Sequence, residues 1–161
     1  MTQLGRFQKR IHEMIPLSEA LGVRLESYDG SCLLVSAPLE PNHNHQGTGF
    51  GGSVYSASVI SAWGLVELVL ADLGLDGNVV IQVGEIEHLE PVNSDFYALC
   101  HLPGGEVPER FRKSLARHGK ARLSLIAEVY CGKPSLAPTT EPAAVFQGRF
   151  VVQGIRSKLT N

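Results

Sequence analysis

Apolar residues first recur at helical spacing. Leu4, Phe7, Ile11 and Ile15 fall three or four residues apart, which is the period of one helix face, and Pro16 cannot continue the pattern. A short helix over residues 4–14 is expected. The period then shortens: residues 23–28 and 32–37 are alternating or continuous apolar runs on either side of Asp29-Gly30, a dipeptide suited to a tight hairpin turn with positive φ. Between residues 38 and 52 aliphatic side chains almost vanish in favour of Pro, Asn, His and Gly, the composition of an irregular loop.

From residue 54 to 73 the pattern is helical again, but small or apolar nearly all the way round. Ser56, Ala57, Ser58, Ser61, Ala62 and Gly64 stand among Val, Ile, Leu and Trp63. A helix without a polar face is one surrounded by protein, and its small residues would let a curved sheet approach its backbone. Ser53 stands where an N-cap or first-turn residue would, and Gly74 closes the helix. Four strands follow, at residues 79–88, 95–102, 121–131 and 144–152, with residues 134–142 as a long hairpin connection. A run of strands after one long buried helix predicts an α+β fold whose antiparallel sheet wraps around that helix. No internal repeat or linker interrupts the pattern, so residues 1–161 are read as a single domain.

Composition narrows the class of partner. With 43% apolar and 19% charged residues, the chain has enough apolar surface to offset the entropy lost on folding. The 14 basic and 16 acidic side chains leave a formal charge of −2, so no basic field is available for a nucleic-acid backbone. Arg110, Arg112, Lys113, Arg117, His118 and Lys120 form a local basic run. It reads either as a solvated loop or strand end, or as a contact for the phosphates of a carrier such as coenzyme A. Cys32, Cys100 and Cys131 are odd in number and lack metal-ligand spacing, which points to a reducing cytoplasm and to no disulfide framework, metal or cofactor. The polar, amphipathic N-terminus is unlike an export signal. The most apolar stretch, residues 59–71, is shorter than the roughly 20 residues a bilayer requires. No membrane partner is expected.

The chemistry concentrates in NHNHQGTGFGGSVYSASV, residues 42–59. Gly47, Gly49, Gly51 and Gly52 immediately precede the buried helix, so backbone N–H groups at its positive end are open to a negative charge or a polarised carbonyl oxygen. That arrangement suits an oxyanion hole. It lacks the Gly-Lys-Ser/Thr ending of a P-loop and the three-glycine dinucleotide fingerprint. On the residues alone, a glycine-rich turn that merely packs the loop on the sheet explains the string equally well.

The same string resembles hot-dog thioesterases, in which Asn-x-x-Gly-x-x-His-Gly-Gly often leads into the central helix. Asn44, Gly47, Gly51 and Gly52 fall on that spacing, and Phe50 stands at the histidine. GTGFGGSVYSAS over residues 47–58, followed by Trp63-Gly64, is similar to the thioesterase family found as the C-terminal domain of YiiD-type proteins, and the resemblance runs from about residue 4 onward. It implies a hot-dog fold, an acyl-CoA or acyl-carrier-protein thioester as substrate, and a homodimer or dimer of dimers joined at sheet edges.

The resemblance also shows what is missing. Relatives carry an Asp or Glu about two turns into the helix, as nucleophile or as base for water. Nine residues past Phe50 this chain has Val59. Glu67 lies about 12 Å further along the helix and is rotated from that place, as a surface or helix-end charge. Glu85 and Glu87 share one face of their strand, where either reaches a site shared between two protomers or is solvated on the sheet's outer face. The expected machinery is therefore Gly51 and Gly52 N–H groups polarising the carbonyl, with Asn44 or His45 positioning water. Imidazole ordinarily titrates near neutrality, which makes His45 the preferred base and His43 a second. Gly47, Thr48, Gly49, Phe50, Ser53, Ser58 and Val59 are expected to line the substrate. Exposed loop histidines and ordinary serine capping account for several of these residues without any chemistry. A non-catalytic acyl-thioester binding module is the alternative from another class, while a dehydratase would need the missing His and acid.

Overall fold

In the computed structural model, residues 1–157 are described. The chain runs α1 (Gln3–Met14), α2 (Pro16–Ala20), β1 (Arg24–Tyr28), β2 (Cys32–Ala37), a 3-10 turn (Glu40–Asn42), α3 (Gly51–Asp72), β3 (Leu75–His88), β4 (Phe96–His101), α4 (Val107–His118), β5 (Ala121–Cys131) and β6 (Ala144–Ser157). The strands form one antiparallel sheet in the order β1-β2-β4-β5-β6-β3. This sheet curls around α3, which packs on β2, β3, β4, β5 and β6, while the Tyr28 hydroxyl at the end of β1 donates to Asp72 Oδ2 at the end of α3 at 2.6 Å. That is the hot-dog arrangement.

The helix can be enclosed because its surface allows it. Leu65, Val66, Leu68 and Leu70 are buried, each contributing about 1.5–3 kcal/mol relative to exposure. At Gly64 an added Cβ would stand 2.9 Å from Leu33 Cδ2, so β2 presses directly on the helix backbone. Buried Ser58 donates to the Val54 carbonyl at 2.8 Å and Ser61 to the Leu33 carbonyl at 3.3 Å, which satisfies both hydroxyls. At 22 residues and mean hydropathy 1.6, α3 is long and apolar enough to cross a bilayer, longer than its most apolar stretch suggests, but 72% of that window is buried against the sheet. Its apolar surface is spent inside the fold.

Helix α1 sits across the far end of α3, with Phe7 stacked on Trp63 at 6.0 Å between ring centroids. Thr2 caps it by accepting from Gly5 N–H at 3.0 Å. The hairpin β1–β2 turns through Gly30 at φ 94°, while Asp29 Oδ1 accepts from the N–H groups of Ser31 and Cys32. The Ser31 bond is the main cause that holds the Asp29 carboxyl below its ordinary range.

Two expectations need correction. The basic run is mainly neither a loop nor a strand end: residues 110–118 belong to α4, with Phe111 and Leu115 buried one turn apart and Gly119 closing it at φ 66°, and only Lys120 lies beyond, next to the start of β5. Two of its cations are engaged on the same helix, Arg110 with Glu106 at 3.1 Å and Arg112 with Glu109 at 3.7 Å. The other concerns the start of α3. The helix begins at Gly51, three residues before the expected residue 54, with Phe50 as N-cap, so Gly51, Gly52 and Ser53 all belong to its first turn and Ser53 takes the first-turn place of the two expected for it.

Candidate functional site

The loop before α3 is held by amides. Asn42 is buried, and its Nδ2 donates to the carbonyls of Leu21 and Pro38, each at 2.7 Å. Both partners accept only, which fixes the orientation of the amide. Its Oδ1 has no partner among the described residues. The Asn42 carbonyl in turn accepts from Phe50 N–H at 2.7 Å, fixing the residue that opens the helix.

Asn44 closes the next turn. Its Oδ1 accepts from the N–H groups of Gln46 and Thr48, and its Nδ2 donates to Thr48 Oγ1 at 2.9 Å. Gly47, at φ 75°, donates back to the Asn44 carbonyl; only glycine adopts that backbone without strain. His45 lies exposed within this turn. Gly49 is pinned to the segment after β3, since its N–H donates to the Val92 carbonyl at 2.7 Å and an added Cβ would stand 2.9 Å from Val92 Cβ.

At the helix start Phe50 offers no capping oxygen, and no acidic side chain lies in the first turn. The first-turn N–H groups, which include those of Gly51 and Gly52, are therefore left without a side-chain cap. The Phe50 ring lies across Gly52, with Cε1 2.6 Å from where a Cβ would stand. A cleft of about 380 Å³ opens beside Gly51, walled by Gln46, Thr48, Gly49, Val54, His88, Glu90 and Val92 among others. Of the residues expected from sequence, Thr48, Gly49 and Gly51 meet in this wall. Asn44 and Gly47 shape the loop behind it. Ser58 is fully buried with its hydroxyl committed, and Val59 is half-buried further along the helix.

Two polar side chains at α3 escape local sequence reasoning. His88 ends β3 and lies against Gly51, its Nε2 and Cε1 being 3.4 and 3.5 Å from the Cβ position. Tyr55 rests its hydroxyl on Gly84, where any Cβ would collide with it, and sets its ring edge-on to Phe146 at 5.5 Å. Gly51, Tyr55 and Val59 are spaced i, i+4, i+8 on one helix face, and Gly84 and His88 alternate onto one strand face. One stripe of α3 thus meets the inner face of β3.

The remaining candidates lie elsewhere. Glu67 faces α1, with Arg10 at 3.9 Å. Glu85 lines a groove of about 730 Å³ on the outer face of the sheet, together with Leu99, Ser124, Ile126 and Glu128; the sheet stands between this groove and α3. Cys32 and Cys100 are buried. Desolvation, followed by the Asp29 charge, pushes the Cys32 thiol up to about 11, and desolvation also raises Cys100. Neither is a poised nucleophile. Among the described residues no group of three or more His, Cys, Asp or Glu is placed to hold a metal ion.

Comparison with known proteins finds a matching family model and solved structures of the same fold. A family model described as "Putative thioesterase (yiiD_Cterm)" matches residues 4–154. A solved protein of unknown function from Chlorobaculum tepidum is 35% identical with a TM-score of 0.86, covering 92% of this chain and 93% of its own. A structure described as a putative thioesterase from Shewanella oneidensis is 30% identical with a TM-score of 0.77, covering 93% and 96%. A thioesterase from Haemophilus influenzae, at 13% identity and a TM-score of 0.69 over 100% and 95%, shares the fold.

Proposed function

The chain belongs to the yiiD_Cterm putative thioesterase family, and from that premise we propose that it hydrolyses an acyl-CoA or acyl-carrier-protein thioester at the N-terminus of α3. The observation that carries this reading is the cleft beside a helix start that has no side-chain cap and begins with two glycines. N–H groups of Gly51 and Gly52 polarise the thioester carbonyl as charge develops on its oxygen. The acyl chain follows the apolar stripe of α3 past Tyr55 and Val59. Of the two roles open to Asn44, its three side-chain hydrogen bonds favour holding the loop. His45 is exposed on the turn before the glycines and does not line the cleft; its proposed part is to order water.

The reading extends to assembly. Strand β3 is a sheet edge 14 residues long, and it exposes Val80, Ile81 and Val83. A long apolar edge invites pairing, and two copies joined along β3 would bring a second protomer to the helix start; a dimer of such dimers is compatible with the same edge.

The absence of a carboxylate at Val59 favours a second reading, an acyl-thioester binding or sensing module without turnover. A co-crystal structure with a non-hydrolysable acyl-CoA analogue tests where the site lies. The expected result is the analogue's carbonyl oxygen about 2.7–3.1 Å from the N–H of Gly51 or Gly52, with paired β3 edges. An analogue seated in the outer groove, or β3 edges left apart, contradicts the respective part of the reading.

A further inference from the structure

Where relatives place a histidine before the paired glycines this chain has Phe50, yet an imidazole stands at the helix start, delivered by β3. His88 Nε2 and Cε1 are the atoms nearest the Gly51 Cβ position, at 3.4 and 3.5 Å, and His88 and Gly51 wall the same cleft. Neighbouring backbone bonds fix the two together. Leu89 and Glu90 N–H both donate to the Ala143 carbonyl, and Gly49 N–H donates to the Val92 carbonyl, tying the glycine loop to the segment that follows His88. Neither ring nitrogen of His88 bonds to a described residue, so both are available to water or substrate. Glu90 is the charged group that shares the cleft with it, and Gln46 and Thr48 are its polar neighbours across the loop. The Phe50 ring meanwhile covers Gly52, so the side chain at the motif position is packed against the helix.

We propose that His88 is a catalytic residue, the general base for water attack; this rests on the thioester-hydrolysis reading. His88 Nε2 takes one proton from water as its oxygen bonds to the carbonyl carbon held at the Gly51 N–H. Collapse of the tetrahedral intermediate breaks the C–S bond, and the imidazolium returns the proton to the departing thiolate. The products are a free acid, which ionises in water, and a thiol. No other reactant is consumed.

The test compares the full chain with His88→Ala, His88→Gln and, as a control on the exposed face of α1 away from the cleft, Lys9→Gln, using an acyl-CoA that the unmodified chain hydrolyses. Both His88 variants should lose about 10²–10⁴-fold in kcat with KM changed only a few-fold. They should also lose the acidic limb of the pH–kcat profile, and imidazole added to His88→Ala should restore part of the rate. Retained affinity for a non-hydrolysable analogue shows that the variant site is folded. An unchanged kcat and acidic limb in both variants overturns the role of His88 alone. An unmodified chain that hydrolyses no thioester overturns the hydrolase reading, and this role with it.

Discussion

Replacing Asn42 by aspartate should destabilise the protein by about 3–5 kcal/mol at neutral pH, the range for an uncompensated buried charge. The Asn42 amide donates to two carbonyl oxygens, at Leu21 and Pro38, from a buried position. A carboxylate has no proton to donate and would face both lone pairs as a like charge. A neutral carboxyl could still donate to one of them. Burial and the two carbonyls would raise the folded-state pKa of the introduced group above its unfolded value. The deficit is therefore small below the unfolded pKa, near 4, and grows as pH rises toward the folded value. Thermal melts at pH 4 and pH 7 should show a Tm deficit on the order of 10 °C at pH 7 and much less at pH 4. An equal deficit at both pH values would show that a buried charge at position 42 is not what destabilises the variant. Because the Asn42 carbonyl also receives Phe50 N–H, the same variant should loosen the start of α3.

The second large effect is expected at Gly84, where the Tyr55 hydroxyl occupies the space a Cβ needs. Gly84→Ala should cost about 1–3 kcal/mol, the usual range for overpacking. The clash belongs to one atom, so Tyr55→Phe should relieve it. In the double variant the nearest groups would be the end of Ile81 at 2.9 Å, which can move, and the Tyr55 ring carbon at 3.3 Å. Chemical denaturation of both single variants and the double should give a coupling of at least about 0.5 kcal/mol in the direction of rescue. Additive losses would mean that Tyr55 does not rest on β3 as described.

Much of this fold was legible because its signals are local. The all-round apolar character of residues 54–73, the Asp29-Gly30 turn and the strand character of residues 121–131 each report one element, and each element formed there. Helix α4 was missed although Pro108, the Phe111–Leu115 spacing and Gly119 mark its start, buried face and end; the density of charge between them hid a face only two residues wide. Strands β3 and β6 extend beyond the expected residues, to Leu75 and Ser157, because they pair with each other there, and pairing across 82 positions leaves no local trace.

The site divides in the same way. Its glycines and its helix start could be read from one string, and so could the missing histidine and acid at Phe50 and Val59. The contacts of Gly51 with His88 and of Tyr55 with Gly84 join residues 37 and 29 positions apart, and only the curl of β3 over α3 creates them. Gly84 itself was visible, but its reason lies in a side chain on another element.

Thioester turnover at the proposed α3 cleft can be measured directly. The purified chain should be supplied with a panel of acyl-CoAs and acyl-carrier proteins while released thiol is followed and binding is measured in parallel by calorimetry. Protein-dependent thiol release that saturates with at least one substrate is expected. Saturable acyl-CoA binding with no thiol released from any member of the panel would contradict it and identify a binding module.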